Sequence, residues 1–307
     1  MDWTTTRENK FGEQLTKLDE TIRSARTSGP AILWVTLFLF SPLFGIIFIS
    51  FMTRDSTGEI VFPLTLENYA RFFGFTASES RTLYLQILWR SLVLATGSTL
   101  LCMVCALPVA FFIAKLPERI KPVALTIVMI PFWTNLLIRT YAWQMLLSSE
   151  GVFSRIAQAL GFVGEGMPLY PSLGAVYVGT LCDYLPYLVL PLYASVEKID
   201  WSIAEAAMDL GAGKFRTFQH AVLPQIIPGL AAGVVLVFVP ATGQFVVPDL
   251  LGGAKTALLG NAIAQQFGPS RDWAFGCSIA MAGVVSLMFG LILYSRTLSK
   301  RGGEGLL

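Results

Sequence analysis

Six charge-poor apolar stretches separated by polar segments set the plan of this 307-residue chain. They run over 31–52, 91–114, from Pro122 to near Arg139, 172–195, 229–247 and 273–294. A helix needs about 20 apolar residues to cross the hydrocarbon of a bilayer, so the pattern predicts six membrane-spanning helices. The fold class is all-α, a polytopic membrane protein. Along the chain this places a segment at 1–30, the first span at 31–53 and an outer loop at 54–90. A five-helix core follows at 91–295, carrying a polar loop at 198–228, and then a tail at 296–307.

The polar segments have patterns of their own. Phe11, Leu15, Leu18 and Ile22 recur at helical spacing with charges between them, the stripe of an amphipathic helix lying along the inner membrane surface. Phe62-Pro63 marks a turn, and an amphipathic stretch follows it to Tyr69. Thr256 to Phe267 reads as a short helix, stopped by Gly268-Pro269.

Composition names the solvent. Hydrophobic residues make up 54% and charged ones 14%, at mean hydropathy +0.62, whereas soluble domains carry about 25% charged residues. A net charge of +2 leaves no electrostatic footprint for nucleic acid. The four cysteines sit in apolar runs, and Cys102-x-x-Cys105 lacks a second ligand pair. They read as small buried hydrophobes, with no metal site. The first thirty residues lack the apolar core and cleavage site of a signal peptide, so the first span is expected to stay as an anchor. Fourteen of the 22 Lys and Arg fall in 1–30, 115–121, 196–228 and 295–307. Basic residues favour the cytoplasmic side, so both termini and the 198–228 loop are expected there.

That loop holds the sharpest motif. Ser202-Ile-Ala-Glu205 reads as a capping box opening a helix. Ala206 and Ala207 are small enough for another surface to approach the backbone, and Gly211 is placed to end the helix in the left-handed conformation. Lys214 to Val222 reads as a second helix, with Leu223-Pro224 bending the chain into the fifth span. The product is a rigid knob on a membrane helix. Gly211-Ala-Gly213-Lys214 superficially suggests a phosphate loop, but it lacks the earlier glycine and the following Ser or Thr.

The knob resembles the EAA signature of ABC-importer permeases. Glu205, Ala206, Ala207, Gly211, Leu223 and Pro224 match the pattern, with Leu210, Ala212, Phe215, Phe218, Pro228 and Gly229 as that family has them, and Asp209 within it. One departure is Ala221, where the family usually has Ile or Val three residues before the proline. The resemblance implies the type I (MetI-like) permease fold, with the knob seated in a cleft of a cytoplasmic ATPase. It also implies a second homologous permease subunit, a heterodimer in preference to a homodimer. Two ATPase subunits and an extracytoplasmic solute-binding protein complete the expected set, with no cofactor and no catalytic residue in this chain.

Polar residues inside the spans mark a candidate pathway. Asp183 is an ionisable residue at membrane depth, which usually faces a cavity or a partner charge. Pro186 and Pro191 imply a kinked fourth helix. One reading lets Asp183 help pass a cationic solute, with Tyr184 and Tyr187 beside it; the other makes it a structural hydrogen bond or an ion pair with Arg139. Trp133, Asn135 and Tyr141 around the end of the third span suit a pore mouth, with Arg139 snorkelling to the interface. Gln244, at a break in the fifth span, is either pore-lining or an interhelical hydrogen bond. The runs 131–143, 184–193 and 260–273 are similar to the spermidine/putrescine permeases, which implies a polyamine cargo. Permeases for an amino acid, an opine, a metal or an anion share much of this framework. An ion-coupled secondary transporter, with Asp183 as carrier site, is the alternative of another class, although no internal repeat is evident.

Overall fold

The computed structural model describes residues 29–55, 60–75, 82–164, 166–253 and 257–303. The amphipathic stripe expected at Phe11 to Ile22 lies outside them. Helix α1 (Gly29–Ser50) leads into a short antiparallel hairpin, β1 (Thr53–Arg54) on β2 (Ile60–Val61), with Thr53 opposite Val61. The all-α expectation therefore gains one two-stranded element. Next come α2 (Glu67–Phe72), α3 (Leu83–Ala114), α4 (Lys121–Trp133), α5 (Leu136–Leu147), α6 (Val152–Ala159) and α7 (Leu173–Val196). Helix α8 (Trp201–Asp209), α9 (Lys214–Thr217) and a π-helical turn at Phe218–Val222 lead into α10 (Leu223–Gly243). The chain then continues through α11 (Val246–Leu251), α12 (Leu259–Phe267) and α13 (Trp273–Gly303).

Among the described residues, five helices are long and apolar enough to span a membrane: α1, α3, α7, the continuous Lys214–Gly243 helix, and α13 as far as Arg296. The sixth candidate is the pair Lys121–Trp133 and Leu136–Ala159, bent by 91°. The third apolar stretch is thus a bent pair of helices and not one continuous span. Its break falls at Thr134-Asn135, where Pro131 has removed a helix donor and the Asn135 carboxamide caps the next helix through Leu137 N at 2.8 Å. The second span starts earlier than its charge-free window, because Arg90 is carried inside α3.

Helices α3, α7 and α10 form the central core around Cys102, Ala106, Leu188, Leu192, Ile226 and Val237. Small residues set the spacing of α7 and α10. Gly229 and Gly233 are four residues apart on one face of α10, and a Cβ at Gly233 would lie 2.9 Å from Leu188 Cγ. Side chains larger than hydrogen would push the two backbones apart, as at other small-residue helix contacts in lipid. Helix α7 runs through Pro186 and Pro191 as a single element. A second cluster joins Phe72 and Tyr84 to Phe275 and Ile279 at the hairpin end, where Arg71 meets Asp272 at 3.0 Å. Helix α8 sits at the opposite end of the bundle.

Candidate functional site

The knob is built from local rules. Helix α8 is capped by Asp200, whose Oδ1 accepts Ser202 N at 3.0 Å and Ser202 Oγ at 2.7 Å. These two donors hold the Asp200 carboxyl below its ordinary value, the hydroxyl contributing most. The capping box expected from Ser202 and Glu205 is therefore corrected: Ser202 is already the second residue of the helix, and the cap lies two residues earlier. Glu205 is exposed and makes no hydrogen bond or ion pair among the described residues. Its carboxylate has no part in holding the helix together.

At the other end of α8, Gly211 has φ +85°. Gly211 N donates to the Met208 carbonyl at 2.9 Å and Ala212 N to the Ala207 carbonyl at 3.0 Å, the Schellman arrangement that satisfies the last carbonyls. Ala206, Asp209, Leu210 and Phe215 are exposed around this cap, Leu210 at 90% and Phe215 at 77%. An apolar pair so exposed on a rigid turn is a docking surface in form.

The link to the membrane differs from the expected bend. Leu223 and Pro224 open α10, yet the axis continues, because the preceding turn is π-helical and Leu223 N donates to the Phe218 carbonyl five residues back. The wider turn accommodates the missing proline donor. Gln225 then ties the start of α10 to the knob, its Oε1 accepting Asp200 N at 2.8 Å. A further clasp escaped the sequence reading: Lys121 Nζ bonds Glu118 and Glu197, each at 2.6 Å, joining the α3–α4 turn to the end of α7. The Lys121 ammonium, followed by the Tyr193 hydroxyl, draws the Glu197 carboxyl below its usual range.

The second site is a cavity of about 360 Å³ where two helix breaks, α4 to α5 and α10 to α11, meet the continuous helix α7. Its wall includes Phe132 before the α4–α5 break, Asp183, Tyr184 and Tyr187 of α7, and Gly243 and Gln244 at the end of α10. Asp183 is 5% exposed; Arg139 Nε donates to its Oδ1 at 2.6 Å and Gln244 Nε2 to its Oδ2 at 3.3 Å. Arg139 also donates through Nη1 to the Pro131 carbonyl. It does not snorkel: its side chain is 13% exposed, because the Asp183 carboxylate and the Pro131 carbonyl, which also accepts Thr134 N and Oγ1, are both within reach. Asp183, Tyr184, Tyr187 and Gln244 are thus brought together. Trp133, Asn135 and Tyr141 are not: Trp133 points outward, Asn135 is spent as the α5 cap, and Tyr141 lines a separate groove with Gln144 and Tyr170.

Residues 98–298, which include both sites, match the family described as the binding-protein-dependent transport system inner membrane component. The chain belongs to this family. As such an inner membrane component it is a multi-pass transport subunit rather than an enzyme. The spermidine/putrescine transport system permease protein PotB of Salmonella typhimurium (strain SL1344) is 41% identical over 271 residues, covering 87% of this chain and 92% of that protein. PotB of Escherichia coli K12 is 40% identical, covering 87% and 96%. A crystal structure of a bacterial alginate ABC transporter, in complex with an alginate-bound periplasmic protein, superposes with TM-score 0.67 over 94% of this chain and 97% of that one. At 14% identity that likeness shows the ABC-importer permease fold alone.

Proposed function

We propose that the chain is the permease subunit of an ATP-driven importer that carries polyamines, spermidine or putrescine, across the inner membrane. The observation that carries the cargo is the 41% identity, over 87% of the chain, to a spermidine/putrescine permease. A buried carboxylate flanked by tyrosines agrees with a cationic solute. The residues near Asp183, with Tyr184, Tyr187 and Gln244, form one wall of the pathway, while Trp133, Asn135 and Tyr141 face elsewhere and would contribute only against a partner.

In this reading both termini and the 198–228 loop face the cytoplasm, and the hairpin and 249–272 face the periplasm. A second, homologous permease completes the pore, two ATPase subunits receive the knobs, and a periplasmic solute-binding protein delivers cargo. Glu205, Ala206, Ala207, Leu210 and Phe215 touch the ATPase. Gly211 and Ala212 fix the turn, and Leu223-Pro224 carry the motion onward. The Lys214–Gly243 helix has 30 residues, and at 1.5 Å per residue it is a lever about 45 Å long. One end is tied to the knob, and the other meets Gln244 and the Asp183 cavity. Displacing the knob therefore moves the cavity wall, which is what alternating access requires.

The test is ATPase stimulation of the reconstituted complex by its loaded binding protein, screened over polyamines, amino acids, sugars and anions. Stimulation with spermidine or putrescine is expected. Stimulation by another class alone overturns the cargo, and transport without any ATPase overturns the importer reading.

A further inference from the structure

Resting on the polyamine reading, the bonds around Asp183 are those of a site for a cationic head. Asp183 holds Arg139 through one hydrogen bond, from Nε, while Nη1 is directed to the Pro131 carbonyl. A bidentate fork is the strong form of this pair; here the guanidinium is shared between two acceptors. Gln244 must turn its nitrogen toward the carboxylate, which leaves Gln244 Oε1 buried in the cavity wall without a donor. Gln244 is itself 8% exposed, and a buried acceptor left open is costly unless something donates to it. Tyr184 and Tyr187 add two ring faces, 6.1 Å apart, and the cavity has room for an alkylammonium head.

We propose that this cavity is an ammonium half-site in which the Arg139 guanidinium is the resting occupant, and that a substrate ammonium displaces it from Asp183. The incoming nitrogen donates to Asp183 Oδ1 and to the open Gln244 Oε1. Arg139 falls back on the Pro131 carbonyl, which already anchors it. An empty transporter then keeps its pathway carboxylate neutralised, and only a cation able to compete with a guanidinium enters. The exchange breaks no covalent bond: the ammonium takes over the Asp183 carboxylate and adds one positive charge to the cavity, while Arg139 stays on the Pro131 carbonyl.

The discriminating variant is the double substitution Arg139→Gln with Asp183→Asn, which removes both charges and leaves neither uncompensated. The assembled complex is reconstituted with ATPase and binding protein, and uptake of putrescine and spermidine is measured beside binding-protein-stimulated ATPase. The double variant is expected to assemble and keep its stimulated ATPase, while uptake falls by about tenfold or more, the loss of a charge-assisted contact. Gln244→Leu is expected to raise the KM for uptake with assembly intact. Wild-type uptake by the double variant overturns the exchange site and makes the pair a structural tie. A wild-type complex that carries no amine but another solute overturns the polyamine reading and the half-site with it.

Discussion

Gly211→Ala isolates the conformation of the knob from its chemistry. Gly211 sits at φ +85°, and a Cβ built there meets nothing within 4 Å. Contact therefore contributes nothing, and the whole cost is the left-handed backbone, roughly 1–2 kcal/mol for an alanine. That corresponds to about a 5- to 30-fold loss in the population of the closed cap. Gly213, two residues on, also has open space around it, but its φ is −67°. Alanine there should change little, at most about half a kcal/mol as a poorer N-cap. Hydrogen exchange of the Leu210, Gly211 and Ala212 amides, which donate to Ala206, Met208 and Ala207, reads the cap directly in the assembled complex. Protection should fall by the stated factor in Gly211→Ala, stay near wild type in Gly213→Ala, and recover in part in Gly211→Asn, since asparagine tolerates this conformation. Binding-protein-stimulated ATPase should follow the same order. Equal protection in the two alanine variants would refute the assignment of Gly211 as a conformational cap.

Glu205→Lys should abolish uptake with normal membrane levels and unchanged α8 protection, because Glu205 has no partner within the described chain; lost protection would show a structural role instead. Gly233→Ala places a methyl 2.9 Å from Leu188 Cγ and 3.2 Å from its Cα, so thermal unfolding in detergent should show a loss of about 1–3 kcal/mol. Gly290→Ala, with nothing within 4 Å in the interior of α13, should cause no loss and raise stability by up to about 1 kcal/mol. The Asp200 cap sets an acid limit for α8. Its carboxyl is lowered from 3.8 by the Ser202 donors, so the contribution is full above that value and disappears as pH falls through the lowered one. Exchange-derived α8 protection should stay level down to about pH 4 and drop only below it; a decline near pH 6 would point to another group.

What could be read from the chain alone follows the range of each interaction. The knob is local: Ala206-Ala207 and Gly211 lie within a few residues, and a left-handed cap after a short helix needs only a glycine at the right place. The apolar windows located the spans for the same reason, since a span is a contiguous stretch of lipid-compatible residues. The misreadings occurred where two local rules competed. Ser202 and Asp200 both suit an N-cap, and a carboxylate with two donors from Ser202 prevailed. Leu223-Pro224 reads as a bend until the turn before it widens to a π-helix and absorbs the proline. The third apolar stretch hid its break, because Pro131 and Asn135 are separately compatible with a continuous helix and together open a 91° corner.

By itself, then, the sequence determined that this is a polytopic membrane protein with a glycine-capped EAA knob between its fourth and fifth spans. Those properties depend on solvent preference and on neighbours along the chain. Only the tertiary structure decided what faces Asp183. Arg139 is 44 residues away and Gln244 is 61, and each comes from a separate break in a helix. Two helix ends and one continuous helix must converge before a buried carboxylate acquires a guanidinium on one oxygen and an amide on the other. That convergence is set by the packing of α7 against α10 through Gly229 and Gly233 and by the corner in the third span, and neither is written in the residues next to Asp183.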